Sequence, residues 1–232
     1  MHLFYSPEIL NGSLELPQDE AIHCTKVLRR NVGDKIHIID GQGTKYLAQI
    51  TNVLGKHVDF SILEQEANFG YFPYKIRMFV APTKNMDRFE FFVEKAVEMG
   101  ICEIHPILCS NSERKVIKPE RVERIIISAM KQSYKARKPL LLPMRKLSEV
   151  LKDDWSGKKF IAHCEDGEKK TLKDFGKQDC TNILIGPEGD FSLEEIALAK
   201  QNNWTEISLG NARLRTETAA LAALHSVHFL QL

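Results

Sequence analysis

The amino-acid sequence predicts an α/β protein in two parts, a small β-rich unit and a larger unit with helices on both faces of a parallel sheet. Three observations predict it. From Lys75 onward, apolar runs of strand length alternate with helical patterns, as in successive βα units. Before residue 70 the chain carries short strand runs joined by a glycine turn. Between the two, Asn68-Phe69-Gly70-Tyr71-Phe72-Pro73 breaks both periodicities and reads as a linker. The expected domains are therefore 1–70 and 74–232, which suits 232 residues, long for one average domain and short for three.

In the first unit the strand candidates are Lys35-Ile36-His37-Ile38-Ile39, Lys45 to Ile50 and Val58 to Ile62, with Gly41-Gln42-Gly43 turning between the first two. An amphipathic helix is expected from Pro17 to about Arg30. It puts Ala21, Cys24, Thr25 and Leu28 on one face and His23, Lys26 and Arg30 on the other. In the second unit the expected strands are 75–81, 102–108, 159–164, 182–186 and 205–209, and the expected helices 86–99, 119–136, 192–202 and 216–230. No internal repeat or low-complexity tract is present.

Composition excludes some classes and is silent on others. Hydrophobic residues at 43% and charged residues at 27% are ordinary for a globular chain. No run approaches the roughly twenty apolar residues a membrane helix requires, and Met1 to Pro7 lacks the pattern of an export signal, so the expected location is the cytoplasm. Five scattered cysteines without a CxxC pair argue against a disulfide framework and against a zinc site, and no metal is expected. With 32 basic and 31 acidic residues, a nucleic-acid surface must come from local segregation of charge.

Two strand-to-helix turns stand out. Asn182-Ile183-Leu184-Ile185 runs into Gly186-Pro187-Glu188-Gly189-Asp190-Phe191 and a helix opened by Ser192 and Glu195, the spacing of a capping box. Glycines there allow a ligand to approach the backbone at the carboxyl end of a strand, where open α/β sheets bind ligands. An ordinary turn using the glycines for positive φ is the competing reading, and neither a dinucleotide nor a nucleoside-triphosphate fingerprint is matched. The second turn follows Glu206 to Leu209. It passes through Gly210 and Arg213-Leu214-Arg215 to Thr216, a natural N-cap, and Glu217, an acid suited to a first helical turn. Two arginines just before a helix start oppose the helix dipole, which points to something anionic or electron-rich held there.

The last helix is apolar nearly all round and so must be covered, by the core or by a second subunit; His225 and His228 read as packing residues. In helix 119–136, Val122, Ile125, Ile126 and Ala129 face inward, while Arg124, Lys131, Lys135 and Lys138 form an opposite stripe flanked by Arg121 and Arg137. With the basic face of 23–30, this suggests a surface that follows phosphates, although a solvated face explains either one alone. Lys84 and Arg88 lie near the end of strand 75–81, on the edge where such a sheet holds ligands.

The segments His23 to Arg29, Glu94 to Gly100, Gln132-Ser133 with Arg137 and Pro139, Gly186 to Gly189, and Leu209-Gly210 with Arg213 to Ala219 occur in a specific order. Together they resemble the ribosomal RNA small subunit methyltransferase E family over nearly the whole chain. The chain departs from that pattern in having Lys131-Gln132-Ser133-Tyr134-Lys135 where many relatives have Glu-Gln-Ser-Gly-Arg, and in having Asp190 after Gly189. The resemblance implies a PUA-like β-barrel RNA-binding domain followed by a SPOUT methyltransferase domain whose carboxyl-terminal chain forms a trefoil knot, and a homodimer through the knot region. It implies methyl transfer from S-adenosyl-L-methionine to N3 of uridine 1498 in 16S ribosomal RNA, free or in the assembled small subunit. A non-catalytic RNA-binding protein of this fold, or a knotted methyltransferase acting on transfer RNA or on ribose, are the alternatives.

The same resemblance distributes the site. His163, Ile185, Gly186, Pro187, Glu188, Gly189, Leu209, Gly210 and Leu214 are expected along the cofactor wall. Arg215, with Arg213, is expected to stabilise the developing uracil anion, and Glu217 is the candidate base. Lys26, Arg29, Arg30, Lys84, Arg88, Lys131, Gln132, Lys135 and Arg137 are expected on the RNA. The target base is expected to leave its stack.

Overall fold

A computed structural model of the protein describes residues 2–232. The chain divides into two compact units, Met1–Tyr71 with Ile127–Lys138, and Phe72–Ile126 with Pro139–Leu232.

The first unit holds a four-stranded sheet of β1 (Leu3–Tyr5), β2 (Lys35–Ile39), β3 (Lys45–Leu54) and β4 (His57–Glu66), in that spatial order. β1 runs parallel to β2, and the other neighbours are antiparallel. Alternation along β3 turns Tyr46, Ala48 and Ile50 inward, onto a core with Phe4, Leu16, Ile38 and Phe60. The β2–β3 connection is specified by Asp40, whose Oδ1 accepts the backbone N–H groups of Gln42, Gly43 and Thr44 at 2.7, 3.0 and 3.0 Å.

The helix expected from Pro17 to Arg30 is only partly regular. Helix α1 (Gln18–Ile22) widens into a π-turn over His23–Val27, closed by Leu28 N–H on the His23 carbonyl at 3.0 Å, and Arg29 then turns left-handed with φ 52°. Ala21 and Cys24 are buried and Thr25 and Leu28 half-buried, while His23, Lys26 and Arg30 are exposed.

The second unit is a parallel sheet with strand order β11-β9-β10-β5-β6-β7, where β5 is Lys75–Val80, β6 Glu103–Leu108, β7 Leu140–Leu141, β9 Lys158–Ala162, β10 Cys180–Ile185 and β11 Thr205–Ile207; β8 (Arg145–Lys146) also pairs with β6. Strands covered on both faces read as continuous apolar runs, and Met78, Phe79, Ile183 and Leu184 are fully buried. Helices α2 (Met86–Glu98), α4 (Leu147–Val150), α5 (Leu193–Gln201) and α6 (Thr216–Gln231) belong to this unit. Helix α2 starts on an Asn85 cap and stops at Gly100, whose φ is +88°.

Helix α3 (Pro119–Gln132) ends four residues before the expected 136 because Tyr134 adopts φ 54°. This left-handed position follows the helix, where glycine is the usual occupant. A glycine here would have a backbone reason, and the tyrosine carries a steric cost of about 1–2 kcal/mol. Lys131, in the last turn of α3, forms a 2.6 Å ion pair with Glu20.

Because the strands are parallel, the segments after β5, β6, β9, β10 and β11 leave the sheet at one edge, and β10 lies between β9 and β5. Chain neighbours are thus separated and distant segments brought side by side.

Candidate active site

The turn after β10 is built from several directions. The expected capping box is present: Ser192 Oγ accepts from Glu195 N–H at 3.2 Å, and Glu195 Oε2 accepts from Ser192 N–H at 2.9 Å. Glu195 Oε1 also accepts from Ser110 N–H at 2.8 Å, so the box reaches the loop after β6. From that loop Asn111 donates its amide to the carbonyls of Gly189 and Asp190 at 3.0 and 3.1 Å. Glu188 turns its carboxylate to Lys84 N–H, 2.9 Å away in the loop after β5.

Neither Gly186 nor Gly189 has positive φ; the left-handed residue is Asp190, at 58°. The glycines serve close approach instead. A Cβ at Gly186 would lie 3.2 Å from Asp190 Oδ1 and from the Phe191 ring, and one at Gly189 would lie 3.1 Å from Asn111 Cβ. Aspartate tolerates this backbone, and its side chain uses the position: Oδ1 accepts from Phe191 N–H at 2.8 Å and Oδ2 from Cys164 N–H at 2.7 Å, joining the loop after β9 to the turn. Asp190 also helps burial hold the Cys164 thiol above its ordinary pKa.

The loop after β11 brings Leu209 and Leu214 half-buried, while Gly210, Arg213 and Arg215 are exposed. Gly210 has φ +112° and its Cβ position is open, with nothing within 4 Å. Thr216 is not the N-cap expected of it. Arg215 holds that position with φ −73° and ψ 157°, without a side-chain cap, and the buried Thr216 hydroxyl donates to the Gly186 carbonyl at 3.1 Å. The helix start falls one residue earlier than expected, which leaves the Thr216 hydroxyl to a partner thirty residues away.

Glu217 follows, only 8% exposed. Its Oε1 lies 4.0 Å from Arg88 Nε, and its Oε2 is buried with no hydrogen-bond partner. A buried carboxylate oxygen without a partner is costly, and such groups concentrate at functional sites.

His163 is enclosed, its side chain 1% exposed, with Nε2 3.1 Å from Glu206 and Nδ1 3.1 Å from Lys169 Nζ. Burial and the neighbouring Lys169 ammonium hold it below its ordinary pKa. Both ring nitrogens are engaged within the protein, so the wall it forms is one of shape. Ile185 is buried at the strand end and Pro187 beside it.

The second unit thus gathers His163, Ile185 to Gly189, Leu209 to Glu217, Lys84 and Arg88 at one sheet edge. Lys84 is ion-paired with Glu113 at 2.7 Å. The other basic candidates belong to the first unit. Lys26, Arg29 and Arg30 are exposed after α1, Gln132 is exposed at the end of α3, and Lys135 is half-buried. Lys131 is held by Glu20. Arg137 packs over the Tyr71 ring at 5.8 Å and pairs through its backbone with Gly41 and Gln42. Sequence reasoning passed over Asn111 and Arg114, whose position past a strand end on the ligand-bearing edge was the available signal, and named Asp190 only as a departure from the family pattern.

Residues 71–228 match the family model described as an RNA methyltransferase domain, and residues 16–63 match that of an RNA methyltransferase PUA domain. The chain is 30% identical over 225 residues to the ribosomal RNA small subunit methyltransferase E of Rickettsia conorii, covering 95% of this chain and 91% of that one. Among solved structures it is similar to a probable rRNA-methyltransferase from Porphyromonas gingivalis, with 40% identity, a TM-score of 0.94, and coverage of 100% of this chain and 98% of that chain. It is also similar to the ribosomal RNA small subunit methyltransferase E of Neisseria gonorrhoeae bound to S-adenosyl methionine, with 29% identity, a TM-score of 0.85, and coverage of 99% and 98%. With its sheet edge tying Gly186 to Thr216 and relatives matching nearly its whole length, the chain belongs to the ribosomal RNA small subunit methyltransferase E family.

Proposed function

We propose that this protein transfers a methyl group from S-adenosyl-L-methionine to N3 of a uridine in small-subunit ribosomal RNA, uridine 1498 of the 16S molecule. The observation that carries the reading is the junction at Thr216 and Gly186. It sets the glycine turn after β10 against the start of α6, where Arg215 and Glu217 flank the junction residue.

The residues fit the cofactor. Open space at Gly210 adjoins the half-buried Leu209 and Leu214, suited to an apolar, purine-bearing ligand, and the buried Glu217 carboxylate complements a sulfonium charge. When bound, the cofactor supplies an electrophilic methyl group. The wall of Ile185, Gly186, Pro187, Glu188, Gly189, Leu209, Gly210 and Leu214, shaped by His163, orients the donor, and alignment lowers the barrier of an in-line displacement. Uracil N3 becomes nucleophilic as its proton leaves, so the Arg215 and Arg213 guanidiniums stabilise the imide anion and Glu217 Oε2 takes the proton.

Residues 1–70 act as a PUA-like RNA-binding domain and 74–232 as a SPOUT domain. The insertion of β10 between β9 and β5 supports a knotted path for the carboxyl-terminal chain. Lys26, Arg29, Arg30, Lys84, Arg88, Lys131, Gln132, Lys135 and Arg137 contact the RNA, free or within the small subunit, in the cytoplasm. A homodimer through α6 is supported by Phe229 and Leu232, 65% and 87% exposed; among the described residues no helix is long and apolar enough to cross a membrane.

The test is incubation with labelled cofactor and small-subunit RNA from a strain lacking the modification, followed by mass spectrometry of nucleosides. N3-methyluridine at one site is expected. Methylation of ribose or of transfer RNA, or no transfer, overturns the reading.

A further inference from the structure

The loop after β6 and the first turns of α2 and α3 enclose an open pocket of about 290 Å³ that none of the expected cofactor, catalytic or RNA-binding residues lines. It lies within the second unit. Its walls combine three cationic side chains, Arg114, Lys118 and Arg121, with three apolar ones, Met86, Val116 and Ile117. Val116 is 72% exposed, which burial does not explain.

The two guanidiniums are fixed in place. Arg114 donates through Nε to the Thr83 carbonyl at 3.0 Å and through Nη2 to the Lys84 carbonyl at 2.6 Å. Arg121 is held by Glu90 at 2.6 Å, with Asp87 at 3.7 Å. A guanidinium bonded along its edge keeps its planar faces available, and unstacked bases pack on such planes. Lys118 is exposed and adds a compact charge suited to a phosphate. Even with Glu90 in the wall, three cations face one carboxylate.

The pocket joins the candidate active site through hydrogen bonds. Arg114 grips Lys84, whose N–H donates to Glu188 in the turn after β10. Met86 opens the helix whose first turn also carries Arg88, 4.0 Å from Glu217. The volume falls near the lower end of ligand sites, about 300 Å³, which suits one nucleotide and not a longer segment.

We propose that this pocket receives a nucleotide of the RNA next to the one that is methylated, its base against Val116, Ile117 and the guanidinium planes and its phosphate on Lys118. This rests on the proposed RNA substrate and adds a recognition site to it. Holding the neighbour of an extruded base fixes the strand on one side of the reacting uridine, which favours one sequence position over others.

The test uses the full chain and unmodified 16S ribosomal RNA transcript, with affinity measured by filter binding at fixed salt. Lys118→Glu and Val116→Asp, both at exposed positions, are compared with Lys152→Glu, an exposed lysine elsewhere in the unit. Expected are a roughly tenfold weaker Kd for each pocket variant, less than twofold for Lys152→Glu, and unchanged calorimetric affinity for S-adenosyl-L-methionine. Pocket variants that bind RNA as tightly as the wild type, or a Lys118→Glu loss no larger than that of Lys152→Glu, overturn the proposal. Failure of the proposed function looks different: the wild type binds the transcript with the pocket variants impaired, yet no methyl group is transferred.

Discussion

The Thr216 hydroxyl donates to the Gly186 carbonyl at 3.1 Å across thirty residues of chain, and both groups are buried. This bond closes the candidate cofactor turn against the start of α6. Thr216 lies one residue inside the helix, with Arg215 at the N-cap, so its hydroxyl serves the Gly186 carbonyl and not the N–H groups of its own first turn.

Thr216→Val keeps the shape and removes the donor, leaving the Gly186 carbonyl unpaired. A buried acceptor left this way costs about 1–3 kcal/mol. Chemical denaturation should show a loss of that size, and calorimetry a weaker S-adenosyl-L-methionine affinity. A variant as stable as the wild type would show that the bond is not maintained in solution.

Gly210→Arg places a long side chain in the open space beside Leu209 and imposes positive φ on a residue with a Cβ. The backbone cost is roughly 1–2 kcal/mol, which a domain of this size withstands. Cofactor binding by calorimetry should disappear while circular dichroism retains the folded spectrum. Unchanged affinity would remove Gly210 from the cofactor wall.

Arg215→Ala alters an exposed side chain at the N-cap. Cofactor affinity should be retained and turnover should fall on the order of a hundredfold, as when a charge-stabilising donor is removed from a transition state. Full activity would exclude Arg215 from the chemistry.

Glu103 predicts an acid response. The His105 hydrogen bond, with the Arg77 guanidinium on its other oxygen, lowers its pKa from 4.5 to about 2. A carboxyl depressed by folding adds stability above its unfolded pKa and loses it as pH falls toward the folded one. The window is therefore pH 4.5 down to 2, and the contribution at most about 3 kcal/mol. Denaturation midpoints should fall through this window for the wild type and fall less for Glu103→Gln; parallel pH profiles would refute the assignment.

The parts of the fold legible in the sequence are those set by short-range chemistry. The Ser192–Glu195 box needs three residues of spacing, and the apolar runs at 75–80 and 180–185 are strands because both faces are covered. β1 escaped notice because three residues, Leu3 to Tyr5, are too short to show a period, and its place depends on β2, more than thirty residues away. The π-turn at His23–Val27 hid within a helical pattern, since an extra residue per turn barely disturbs the periodicity over five residues.

By itself the sequence determined the two-part α/β organisation, the longer strands and helices, and the segments that mark the family, because these follow from periodicity, caps and motif order. Only the tertiary structure decided that β10 lies between β9 and β5, that Asp190 fastens the loop after β9, that Thr216 serves Gly186, and that Arg114 joins the pocket to the glycine turn. Each joins groups far apart in the chain. Their pairing is selected when side chains exclude water and buried polar atoms must find partners, a condition that no local stretch of sequence contains.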